Sequence, residues 1–121
     1  MAVCLITLAS TFDLLRAFSI SKTEEATKLI GQEKYQEALN SATLAVRCNP
    51  FSSKAYLARG RALAKQLRLK QAFESFNNAL ALAANDLLAL DQRASLALKL
   101  NLPKIAIEDL SKIISTAPEQ V

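Results

Sequence analysis

The chain has 121 residues, enough for one domain around one continuous core. Hydrophobic residues make up 51% of it, with two glycines, three prolines and no tryptophan, which suits a helical protein and excludes a disordered chain or a turn-rich β fold. The net charge of +4 is modest, histidine is absent, and no apolar run approaches the roughly 18 residues that span a bilayer, so neither a membrane partner nor histidine-based catalysis or metal binding is expected.

In chain order, residues 2–18 read as the first helix. Its apolar residues, Val3, Leu5, Ile6, Leu8, Phe12, Leu15 and Phe18, run almost all round, the pattern of a helix buried on every side. No basic segment precedes it, and the pattern continues through Asp13 and Arg16, so it reads as part of the fold rather than a signal peptide. Helix breaks follow near 31–34, 49–53, 67–69, 85–87 and 101–103, and helices fill the intervals, about seven in all. Pro50 stops one of them, because a helix does not easily continue into proline. Cys4 and Cys48 lie among apolar neighbours in helical stretches and read as buried, reduced thiols of an intracellular, cytoplasmic protein.

Shifting the chain by 34 residues brings several columns into register without a gap. Small residues recur as Ala26, Gly60 and Ala94, and again as Ala38, Ala72 and Ala106. Large ones recur as Leu39, Phe73 and Ile107, and as Val46, Leu80 and Ile114; terminators fall at Pro50, Ala84 and Pro118. The physical sense is close packing of helical hairpins: a small side chain at a crossing lets two helix axes approach toward the short end of the usual range of about 8–10 Å.

These columns resemble the tetratricopeptide repeat, three times over residues 19–120. The second copy is the nearest, with Tyr56, Gly60 and Leu63 in its first helix and Ala72, Phe76 and Ala79 in its second. The first departs with Lys22 in place of the large opener, the third with Pro103 in the column of Tyr35 and Leu69; proline is tolerated there because the column opens a helix. The resemblance implies an all-α solenoid, one domain over 1–121 divided as 1–18, 19–52, 53–86 and 87–120. It also implies a groove lined by the first helix of each pair, in which such domains hold a partner peptide or helix. Carried over residue by residue, the groove columns are Thr23, Thr27 and Ile30; Lys54, Leu57, Ala58, Arg61 and Lys65; and Leu88, Asp91, Gln92, Ser95 and Lys99. The family's clamp for the C-terminal carboxylate of chaperones falls on Thr23, Thr27, Ala58, Leu88 and Gln92, and none matches.

The +4 excess sits entirely in residues 53–86, where Lys54, Arg59, Arg61, Lys65, Arg68 and Lys70 face only Glu74 and Asp86. The spacing of Lys54, Arg61, Lys65 and Arg68 puts them on one helix face, extended by Lys99. The expected groove is therefore Lys54, Leu57, Arg61, Lys65, Leu88, Gln92, Ser95 and Lys99, receiving an acidic and apolar segment of a protein partner. Arg59 and Arg93, one residue off the groove, would brace neighbouring helices. No GxSxG, glycine loop, HExxH or Cys/His spacing occurs, so no catalytic residue, metal ligand or cofactor is expected. The acidic pairs Glu24, Glu25 and Glu108, Asp109 read as solvated helix charges. Nothing polar caps the last helix, with Ile105, Ile107, Leu110, Ile113 and Ile114, so the chain is either a piece of a longer protein or associates with a second copy through its terminal helices. An RNA-binding role ranks behind both, because one repeat alone is basic and aromatic stacking residues are sparse.

Overall fold

The computed structural model describes residues 2–116, with side chains from Thr11 onward. Six helices follow one another: α1 (Ala2–Gly31), α2 (Tyr35–Cys48), α3 (Ser53–Lys65), α4 (Leu69–Leu82), α5 (Leu87–Lys99) and α6 (Pro103–Thr116). They pack as successive hairpins, α1 on α2, α3 on α4, α5 on α6, and each hairpin stacks on the next through α2–α3 and α4–α5. All of the expected breaks occur, and Pro103 opens α6 as anticipated.

The alanines are where the helices meet. Ala38, Ala42, Ala45, Ala72 and Ala79 are wholly enclosed, and Ala106 nearly so. Around them Leu39, Leu57, Leu63, Phe76, Leu80 and Leu90 form a core shared by the successive hairpins. Gly60 marks a close approach. A Cβ there would stand 2.6 Å from Cε1 of Phe76, whose ring is fully buried.

Each hairpin closes with the same turn. Glu33, Leu67 and Asn101, spaced by one repeat, hold left-handed φ values of 61°, 62° and 60°. The residue after each returns its N–H to a carbonyl five positions back: Lys34 to Leu29 at 2.9 Å, Arg68 to Leu63 at 3.0 Å and Leu102 to Ala97 at 2.8 Å. With the bonds that span three positions, from the N–H of Glu33 to Ile30, Leu67 to Ala64 and Asn101 to Leu98, this is the Schellman closure of a helix.

Three expectations change. The helix expected over residues 2–18 is not separate: it runs without interruption into the first hairpin, giving six helices among the described residues instead of about seven. Nothing breaks it, since Thr23 and Thr27 return their hydroxyl protons to the carbonyls of Ser19 and Thr23, at 2.8 and 3.0 Å, and stay helical. Nor is this helix buried on every side. A 30-residue helix is about 45 Å long and 14-residue α2 about 21 Å, so α1 is about twice as long as its hairpin partner. Before it, Phe12 is 64% and Leu14 70% exposed. Third, Asp109 is no solvated charge. It is fully buried, and Arg93 grips it with Nε at 2.8 Å from Oδ2 and Nη2 at 2.6 Å from Oδ1. Arg93 Nη1 also donates to Asn77 Oδ1 at 3.0 Å, so one guanidinium joins α4, α5 and α6. The hydrogen bonding to Asp109, with the negative charges of Asp109 and Glu108, holds the Arg93 pKa above its ordinary value against the opposing effect of burial. Cys48 is free and half-buried at the end of α2; Cys4 and Pro118 lie outside the described side chains.

Candidate functional site

The first helices of the hairpins, α1, α3 and α5, make a continuous face. A cavity of about 770 Å³ opens on it. Its α1 wall is Ile20, Thr23, Glu24, Thr27 and Lys28; its α3 wall is Lys54, Leu57, Ala58 and Arg61; Ser52, Asp86 and Leu88 complete it from the loops and α5. Leu57 and Ala58 form a buried apolar floor, while Ile20 and Leu88 are exposed at the sides. The charge is mixed: Lys28, Lys54 and Arg61 stand against Glu24 and Asp86.

Of the eight groove residues expected from sequence, Lys54, Leu57, Arg61 and Leu88 line this cavity. Lys65, Gln92, Ser95 and Lys99 do not; Lys65, Ser95 and Lys99 are exposed further along α3 and α5. Of the other carried-over columns, Thr23, Thr27 and Ala58 are in the lining, and Ile30 is in the core. The basic stripe is shorter than its spacing suggested. α3 ends at Lys65, and Arg68 comes after the left-handed turn at Leu67, which carries it to a second cavity beside α2 and α4.

Sequence reasoning missed Ile20, Glu24, Lys28, Ser52 and Asp86. The first three share a helix face with Thr23 and Thr27, at helical spacing that the sequence displays. Ser52 and Asp86 occupy one column and are N-caps. Ser52 Oγ accepts from the Ala55 N–H at 3.3 Å, and Asp86 Oδ1 accepts from Leu88 and Ala89 at 3.1 and 3.3 Å. The four clamp columns that reach the cavity have no proton to offer a carboxylate. Thr23 and Thr27 spend theirs on the backbone, and alanine and leucine have none. Among the described residues no group of three His, Cys, Asp or Glu is gathered as a metal site would require, and no helix is long and apolar enough to cross a membrane.

The fold has close counterparts among solved structures. The first TPR of Spaghetti (RPAP3), bound to the HSP90 peptide SRMEEVD, is 21% identical with a TM-score of 0.81, covering 85% of this chain and 82% of that one. The Arabidopsis OM64 TPR domain is 19% identical with a TM-score of 0.81, covering 86% of both chains. MamA from Desulfovibrio magneticus RS-1 is 18% identical with a TM-score of 0.77, covering 99% of this chain and 73% of that one. No protein-family model matches the sequence, and no curated protein matches it. The chain therefore has the tetratricopeptide-repeat fold, an all-α solenoid of helical hairpins.

Proposed function

We propose that the chain is a protein-interaction module, a scaffold or adaptor, that seats a segment of a partner protein in the cavity along α1, α3 and α5. The observation that carries this reading is the lining itself: an apolar floor of Leu57 and Ala58 between exposed Ile20 and Leu88, edged by Lys28, Lys54 and Arg61. Apolar side chains entering the floor supply affinity, and the three cations select acidic residues beside them. That solved structures of the same fold hold a peptide supports the class of partner. The mode of capture differs from a terminal-carboxylate clamp, because the four clamp columns that reach the cavity carry no free donor and Gln92 does not line it.

Peptide-library selection tests the reading. The wild type is expected to enrich segments that mix Asp or Glu with Leu, Ile or Phe. Lys54→Glu with Arg61→Glu should weaken those peptides at least about tenfold, since each charge-assisted contact contributes about 1.5–3 kcal/mol. Equal affinity in the double variant removes the proposal. Amidating the C-terminus of a selected peptide should leave binding unchanged; a large loss restores the clamp.

A second reading is favoured by a separate observation. Phe12, Leu14, Leu15 and Phe18 of α1 and Ile107, Leu110 and Ile114 of α6 are exposed apolar residues at opposite ends of the row of helices. They support association with a second copy, which is compatible with an open groove.

A further inference from the structure

A second cavity, of about 500 Å³, lies on the other side of α3, between α2 and α4. It is polar and rich in arginine: Arg47, Arg59 and Arg68 all line it. Arg59 stands one repeat before Arg93. In the α5–α6 hairpin, Arg93 is satisfied by Asp109 and Asn77. In the same two columns one repeat earlier stand Ser75 and Thr43, and both line this cavity with Arg59. The shorter side chains leave a recess where the next hairpin places its own carboxylate and amide. Arg59 is correspondingly unmatched: its Nε is buried and makes no hydrogen bond among the described residues. Among the described residues Glu74 is the one carboxylate in the lining; it is exposed and forms no ion pair with any of them. A buried guanidinium N–H without an acceptor leaves its desolvation uncompensated.

We propose that this cavity is a binding site for a carboxylate supplied from outside the chain, an Asp or Glu side chain of a protein partner. Arg59 takes it in the two-pronged manner in which Arg93 takes Asp109, and Arg47 and Arg68 add positive charge around it. A planar carboxylate matches the guanidinium fork, so the fold carries, one repeat along, the template of its own ligand. The site uses other residues and another face than the groove, and neither depends on the other.

Arginine Nε–Hε resonances of the whole chain, titrated with sodium acetate against sodium chloride of equal ionic strength, test it, with Arg93 as an internal control. The Arg59 resonance is expected to shift saturably with acetate while that of Arg93, already bonded to Asp109, stays in place. Ser75→Asp should move the Arg59 resonance to the region of Arg93 and abolish its response. Arg59→Gln should weaken the acetate response read at Arg47 and Arg68 about tenfold. If Ser75→Asp does not fold, the contrast between Arg59 and Arg93 in the wild type still decides. No acetate response at Arg59, or equal responses at Arg59 and Arg93, overturns the site. A response to inorganic phosphate with none to acetate overturns the carboxylate assignment.

Discussion

Gly60 and Phe76 form an exchange of volume. In the preceding repeat the same two columns hold Ala26 and Ala42, which pack together in the core. In the second repeat the residue opposite has grown to a phenylalanine, and its partner has shrunk to glycine. Both columns were visible in the sequence as small or aromatic, but not that they face each other, because periodicity gives a side chain's direction and not its neighbour. The pairing fixes the sign of a substitution. Gly60→Ala gains up to about 1 kcal/mol of helix propensity. Its Cβ would also press on an enclosed ring at 2.6 Å, and overpacking costs about 1–3 kcal/mol. A net loss of about 1 kcal/mol and a melting temperature lower by about 3–6 °C are expected. A rise in a thermal melt would mean that the ring can retreat. Asp109 was misread for the same reason. Its column holds buried Ser41 and Ser75 in the earlier repeats, and that was the available sign that an acid there would be enclosed and matched to a cation.

At the scale of elements, breaks were the most legible feature. Breaks near 31–34, 67–69 and 101–103 are expected from the sequence, yet Glu33 and Leu67 give no sign of the left-handed geometry there. The position usually given to glycine carries Glu33, Leu67 and Asn101. Asparagine tolerates that conformation; leucine is strained by about 1 kcal/mol or more. Leu67 is largely exposed, so little packing depends on it. Leu67→Gly should therefore raise the urea midpoint by an amount worth about 1 kcal/mol, and Asn101→Gly by less. An unchanged midpoint for Leu67→Gly would show the turn to be unstrained. The length of α1 was the opposite case. A separate helix is expected to end at residue 18, ahead of the first repeat, but Ser19 and Thr23 fit a continuous helix, and Ser19 Oγ even donates to the Ala45 carbonyl of α2 at 2.8 Å.

At the scale of the whole molecule, apolar pattern located the surfaces that need cover but not what covers them. The first half of α1 is expected to be buried, but among the described residues nothing covers Phe12 or Leu14. If a second copy covers them, sedimentation should show mass rising with concentration, and Phe12→Glu with Leu14→Glu should return the protein to a monomer. A wild type that sediments as a monomer at every concentration removes the self-association reading. The groove was half legible for a related reason. The α3 columns Lys54, Leu57 and Arg61 line one cavity, whereas the α5 columns reach it only through Leu88.

Stacking also decides how disturbance spreads. Among the described residues no Cα of α1 or α2 comes within 8 Å of α6, and α1 meets the later hairpins only by way of α3. Such a row has no hub whose failure brings everything down together. A wound at one hairpin loosens the adjoining one first, and distant members notice only as much as the middle passes along.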